Sequence, residues 1–296
     1  MSAGQTTSRG RSLDLGLLLI LGALWGSSYL FIKVAVAEVP AVTLVAARLV
    51  LGAVVLWGLL LVTRQRAPRG WRLWADYTMM GLLNGALPYS LIFWGEQYID
   101  SSLAALLQAT MPIFTVILAN FLAQDEHLTW LKAAGVFLGF LGVGVLMLAD
   151  LRQGLHANLL GQLAIVGSSV SYAAATIYAR TRLRGQPPLV STTGQLTMGA
   201  VLILPLSLLV DRPFGLSPSL AAIGSWLALT LLGTVVAYLI YYTLIERTNA
   251  TFVSTVTYII PVNGLLLGAL VLGEPISATL LGALALILLG VLLVRS

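Results

Sequence analysis

Ten stretches of about 20 mainly apolar residues follow one another along this chain, and each is long enough to cross the hydrocarbon of a bilayer as a helix. They begin near Leu13, Ala41, Tyr77, Ser102, Leu128, Asn158, Leu189, Ala221, Thr251 and Ala278. They end near Ala37, Val62, Trp94, Leu122, Leu148, Tyr178, Leu209, Leu244, Leu272 and Val294. Of the 296 residues 58% are hydrophobic and 9% charged, against roughly 25% charged in soluble domains, so a water-soluble globule is excluded. The expected class is an all-α integral membrane protein with ten transmembrane helices, since helices alone satisfy the backbone within segments of this length in lipid. No soluble domain fits between the runs. The longest polar connection, Thr63 to Asp76, carries Arg64, Arg66, Arg69 and Arg72. Arg9 and Arg11 precede an apolar stretch that continues to Ala37, which reads as the first helix and not as a cleaved signal.

Laying the ten helices alternately through the membrane sorts the basic residues by side. One side collects Arg9, Arg11, Arg64, Arg66, Arg69, Arg72, Lys132, Arg180, Arg182, Arg184, Arg247 and Arg295. The other receives Lys33, Arg152 and Arg212, with Arg48 left inside the second helix. The positive-inside rule then places both termini in the cytoplasm of a multi-pass protein of the inner or plasma membrane. The net charge of +5 is spread by membrane side and not gathered in a patch, so lipid, and not nucleic acid, is the expected surroundings. The chain has no cysteine, and its two histidines, His127 and His156, fall in polar breaks. No metal or cofactor site is expected, and an integral membrane enzyme lacks a reactive constellation here.

The second half echoes the first. Lys33 falls on Arg180, Pro40 on Pro187 and Gly52-Ala53-Val54 on Gly199-Ala200-Val201 at an offset of 147. Tyr89 falls on Tyr238, Pro112 on Pro261 and Asp125 on Glu274 at an offset of 149. Residues 1–150 and 151–296 therefore read as two five-helix repeats. Five is odd, so the second repeat enters the membrane from the opposite side. An inverted repeat of this kind encloses a site at the midplane that opens alternately to either side, the construction of many secondary transporters.

Trp25-Gly26-Ser27-Ser28 followed by Lys33, Ala47-Arg48-Leu49, Pro112, and the acidic turns Asp125-Glu126 and Gly273-Glu274-Pro275 occur in an order that resembles the drug/metabolite transporter superfamily, in its EamA-type ten-helix branch. The resemblance covers nearly the whole chain. It implies export or exchange of small metabolites, and the similar bacterial members are amino-acid exporters, including those for aromatic amino acids. Where Trp25 and Arg48 stand in the first repeat, Tyr172 and Gln195 stand in the second, so the halves of any site are chemically unequal.

Polar side chains within spanning helices face a bundle interior or cavity. Ser101, Gln108, Pro112 and Thr115 share one face of the fourth helix, and Ser254, Thr257, Pro261 and Gly264 one face of the ninth, at about 100° per residue. Pro112 and Pro261 are expected to break the helical ladder one turn earlier, near Gln108 and Thr257, as is Pro88 in the third helix. Trp25, Ser28, Asn84, Tyr89, Gln108, Tyr172, Gln195, Tyr238 and Thr257 are the candidate substrate-binding residues, forming an aromatic, hydrogen-bonding chamber. Arg48 is expected to pair or to gate one end, Lys33 to be solvated or interfacial, and Trp71, Trp74, Trp94, Trp130 and Trp226 to anchor the interface.

All eleven carboxylates map near helix ends or loops, so the expected movement is facilitated and gradient-driven, without obligatory proton coupling. The small-residue runs Gly135 to Gly139 and Gly264 to Gly268 read as internal packing, and a single copy is the expected state. The expected activity is alternating-access export of small amphipathic metabolites, with hydrophobic or aromatic amino acids ahead of a multidrug or nucleotide-sugar cargo.

Overall fold

The computed structural model describes residues 8–122, 129–154, 156–248 and 250–295. Asp125, Glu126 and His127 lie outside the described residues. Ten helical spans account for the described chain, and no strand occurs among its residues. They are α1 (Ser8–Val36), α2 (Ala41–Val62), α3 (71–95), α4 (101–122), α5 (Trp130–Arg152), α6 (His156–Arg182), α7 (Pro188–Asp211), α8 (220–247), α9 (250–272) and α10 (Ala278–Arg295). Among the described residues, nine helices are long and apolar enough to cross a membrane. The tenth, α3, is not among them. It also begins at Trp71, six residues before the apolar run, because its first turns are amphipathic: exposed Trp71 and Arg72 lead into buried Tyr77.

Helix pairing obeys the repeat. Exchanging α1 to α5 with α6 to α10 turns the contact of α1 with α9 into that of α6 with α4, and the contact of α3 with α6 into that of α8 with α1; all four occur. The pairs α2–α7 and α5–α10 map onto themselves. Both run antiparallel. Thr43 at the start of α2 donates its backbone N–H to Asp211 at the end of α7 (2.9 Å), while Trp57 further along α2 donates to Thr197 of α7 (3.0 Å). In α5 and α10, Gly135 meets Gly290 and Gly142 meets Ala283, so the register runs in reverse. Equivalent helices pointing in opposite directions are what an inverted repeat requires. A Cβ on Gly290 would stand 2.6 Å from the Gly135 carbonyl oxygen, which shows why glycine is needed at that crossing. The two glycine runs are consumed inside the protein, with Gly264 facing Ala105.

Both third helices carry a π-helical turn at repeat-related places, Leu82–Ala86 in α3 and Leu231–Val236 in α8. Such turns concentrate at functional sites. In α3 the turn precedes Pro88, which has no N–H to return to the carbonyl of Asn84. The Ser171 hydroxyl of α6 donates to the neighbouring Leu83 carbonyl at 2.7 Å. Pro112 follows the expected break, since α4 opens at Ala109 and Thr110 between Ser101–Gln108 and Met111–Leu122. Pro261 departs from expectation: it sits inside Val256–Leu272, and α9 is interrupted at Thr255 instead.

Two kinds of contact tie the repeats at their ends. At the Lys33 end, three carboxylates from helix ends and turns hold the first residues of helices, or the residue just before one, in the other repeat. Glu38 accepts from Ser219 N and Oγ (both 2.6 Å), Asp211 from Thr43, and Glu274 from the backbone N–H groups of Ser101 and Ser102 (2.8 and 2.9 Å). At the arginine-rich end, Asp14 pairs with Arg247 (2.6 Å) and Asp76 with Arg182 (3.3 Å). There a groove of about 530 Å3 lies between α3 and α6, lined by Trp71, Arg72, Asp76, Met79, Tyr178 and Arg182.

Candidate functional site

Two aromatic pairs occupy repeat-related positions in the helix centres. Trp25 of α1 meets Tyr238 of α8 edge to face, with ring centroids 6.2 Å apart. Tyr172 of α6 meets Tyr89 of α3 at 6.4 Å in the same T-shaped manner. Trp25 also touches Tyr241, at 5.6 Å. The sequence offsets carry one pair onto the other, so a single packing solution is used twice with different side chains. Tyr89 meets both Tyr172 and the Arg48 guanidinium, which ties the second pair to Arg48.

Polar links follow the same pattern. Arg48 of α2 donates Nε–H to Thr234 in the π turn of α8 at 3.1 Å. Asn84 in the π turn of α3 donates to Gln195 of α7 at 3.1 Å. Arg48 and Gln195 are repeat equivalents, and their partners differ by one position in register. One link is therefore cationic and the other neutral.

Arg48 is 6% exposed, and its guanidinium carbon lies 4.1 Å from the centre of the Tyr89 ring and 5.9 Å from that of Phe93. No carboxylate pairs with it among the described residues. A buried guanidinium without a counter-ion is held by the faces of aromatic rings and by a hydroxyl, arrangements that leave its terminal N–H groups for an anion. The expected pairing of Arg48 is thus with Thr234 and Tyr89, not with an acid.

The remaining candidates divide. Gln108 accepts from Ser168 of α6 at 2.6 Å, and its buried amide nitrogen has no partner. Ser28 is buried beside Gly233 of the α8 π turn and donates to its own helix at Leu24. Thr257 donates to Ser254 O, within its own helix (3.0 Å), as Thr115 does to Met111 O (2.9 Å). Ser101 is buried against Gly268 near the Glu274 cap. The residues expected to share one polar face of α4 therefore meet different partners.

The structure adds to two expectations about charge and anchoring. Lys33 is half-buried at the end of α1, and its ammonium donates to the carbonyls of Glu96 (2.8 Å) and Ile99 (2.7 Å), closing the end of α3. Trp226 is half-buried against the core with its indole nitrogen unpartnered, whereas Trp71 and Trp130 are exposed as interfacial residues are. The residue that sequence reasoning missed is Glu96. It follows Gly95 in the turn outside the spanning segments and is fully buried, with neither carboxylate oxygen hydrogen-bonded. Burial pushes its carboxyl well above the usual range; Lys33 opposes this and Glu274 adds to it. Among the described residues no group of His, Cys, Asp and Glu side chains is placed to hold a metal ion.

The model of the EamA-like transporter family matches the chain twice, over residues 14–148 and 159–296, once in each half. The chain belongs to the EamA-like transporter family. It is similar to an uncharacterized transporter of Archaeoglobus fulgidus, 27% identical over 270 residues that cover 91% of this chain and 94% of the relative. It is 26% identical to the uncharacterized inner membrane transporter YedA of Escherichia coli K12 over 94% of this chain and 89% of the relative. Protein PagO of Salmonella typhimurium is 25% identical over 90% and 88%. A solved crystal structure with 21% identity superposes with a TM-score of 0.65 over 95% of this chain and 96% of its own, which shows a shared fold. The protein is a multi-pass membrane transporter.

Proposed function

We propose that this EamA-family transporter exports small amphipathic carboxylates, with hydrophobic and aromatic amino acids as the leading cargo. The observation that carries the proposal is the Arg48 guanidinium, buried on the Tyr89 ring with no acid beside it. A carboxylate is the planar anion that matches its fork. The Trp25–Tyr238 and Tyr172–Tyr89 pairs give an aromatic side chain edges and faces to stack on. The free amide N–H of Gln108 supplies a neutral donor, and Pro88 and Pro261 supply no N–H to the Asn84 and Thr257 carbonyls, which an ammonium can then meet. A sugar nucleotide or other phosphorylated cargo fits less well, because Gln195 stands where a second cation would be needed.

Movement follows from the inverted repeat. Rocking of one five-helix half against the other exposes the shared site first to one face and then to the other. The arginine-rich end faces the cytoplasm with both termini, and the Lys33 end faces outward. The test is efflux from liposomes holding purified protein, preloaded with a panel of amino acids. Faster loss of phenylalanine, tyrosine, tryptophan or leucine than from empty liposomes supports the reading. No acceleration for any amino acid sinks it.

A further inference from the structure

Two carboxylates are buried among the described residues, Asp14 and Glu96. Asp14 has Arg247 as its partner; Glu96 has none. Glu96 closes α3 at the outward end, directly after Gly95, where α3 and α6 approach so closely that a Cβ on Gly95 would lie 2.9 Å from the Gly161 carbonyl oxygen. The groups that act on it are Lys33 and Tyr29 from α1 and Glu274 from the turn before α10. Behind them stand Asp100 in its own turn, Asp150 of α5 and, across Tyr29, Arg48 of α2. None offers its carboxylate a donor. Lys33 gives hydrogen bonds to two backbone carbonyls, and both oxygens of Glu274 are taken by Ser101 and Ser102.

Burial without a hydrogen-bond donor favours the neutral carboxyl against the opposing charge of Lys33, so in this conformation the group holds a proton more tightly than it would in water. We propose that Glu96 is a proton-binding site that latches the outward end: it is protonated while that end is closed and ionises when the end opens to water. The inference rests on the alternating-access reading above and extends it to regulation.

The sign follows from linkage. The closed state binds the proton more tightly, so acid on the outward face favours closure and rising pH there favours opening, by at most roughly ten-fold in the equilibrium per pH unit for one proton. Glu96 takes its proton from the outward compartment and returns it to the same one. The cycle therefore moves no net proton, which agrees with gradient-driven transport free of obligatory coupling.

The chain lacks cysteine, so one introduced thiol can report opening without any knowledge of the substrate. Ile99, 3% exposed, gives only its backbone carbonyl to Lys33, so Ile99→Cys leaves that bond in place. The full-length I99C protein in liposomes is labelled with a membrane-impermeant methanethiosulfonate reagent while the outward pH is varied from about 5.5 to about 7.5, a range that separates a raised carboxyl from an ordinary one. The intrinsic rise of thiolate with pH is removed by comparison with I99C/E96Q. Labelling that rises several-fold more steeply with Glu96 present supports the latch; equal pH dependence in both overturns it. If E96Q fails to fold, I99C/E96D is the second variant: it retains the steep dependence if the latch is real, and a dependence flattened to that of free thiol overturns it. An equal response to pH on the cytoplasmic face, or Glu96-dependent accumulation driven by a pH gradient alone, overturns the same-side exchange. A Glu96-dependent labelling profile in a protein that moves no amino acid refutes the cargo and supports the latch.

Discussion

The guanidinium of Arg48 lies 4.1 Å above the ring of Tyr89, and the two residues come from different helices, α2 and α3, of the same repeat. The second repeat has no such contact, because Gln195 replaces the arginine and hydrogen-bonds Asn84 instead. A nearly two-fold scaffold therefore encloses a site with one charged and one neutral half.

Arg48→Gln makes the two halves alike and removes the anion site. Transport of amino acids is expected to fall about 10- to 100-fold, corresponding to the roughly 1.5–3 kcal/mol of a charge-assisted hydrogen bond. Arg48→Lys restores little, since an ammonium neither stacks on Tyr89 nor forks a carboxylate. Efflux rates at equal protein density, with melting temperatures to confirm folding, decide the matter; unchanged efflux in R48Q would exclude Arg48 from binding.

Trp25→Ala removes one member of the Trp25–Tyr238 pair, and Tyr172→Ala does the same for its repeat mate. Each is expected to weaken competition by aromatic amino acids about 2- to 10-fold, in line with about 0.5–1.5 kcal/mol for an aromatic pair. Competition by alanine should change less. Inhibition curves against a common labelled substrate measure the difference.

Gly290→Ala places a methyl group 2.6 Å from the Gly135 carbonyl oxygen, a backbone atom that cannot swing aside. The α5–α10 seam must open, at about 1–3 kcal/mol, and the melting temperature in detergent should drop by several degrees. Gly282→Ala on the same helix meets open space and serves as the control.

Glu38 lies beyond the end of α1, and the two hydrogen bonds from Ser219 hold its carboxyl below the usual carboxylate range. Its folded value is depressed, so the contribution is present above the ordinary carboxylate range and is lost as pH falls through the depressed value. Parent protein should melt above Glu38→Gln at neutral pH and converge with it in acid. A gap between the two that persists in acid contradicts the assignment.

Much of the architecture was legible because it follows from local chemistry. A run such as 41–62 is apolar but for Thr43 and Arg48, and a membrane makes such a segment helical wherever it lies. Five runs per repeat then fix inversion by counting alone. The site was legible only in part. Trp25, Tyr172, Tyr89 and Tyr238 could be placed by the repeat offset, and they meet as two pairs. Thr257, Thr115 and Ser101 were chosen by the same criterion, polarity within an apolar run, yet the first two hydroxyls turn back onto their own helices and Ser101 is buried beside the Glu274 cap. Periodicity gives the face of a helix but not the rotamer of a hydroxyl.

The amino-acid order by itself determined solvent, span number and duplication, because each depends on sums over about 20 neighbouring residues. Lys33 and Glu96 mark what it left to the tertiary structure. Both sit at helix ends next to polar turns, where a charged side chain ordinarily reaches water. Only the convergence of α1, α3, α4, α6 and the turn before α10 gives the half-buried ammonium to backbone carbonyls and leaves the buried carboxyl with no hydrogen-bond partner. Charge state depends on surroundings contributed by distant parts of the chain, and those are assembled by folding.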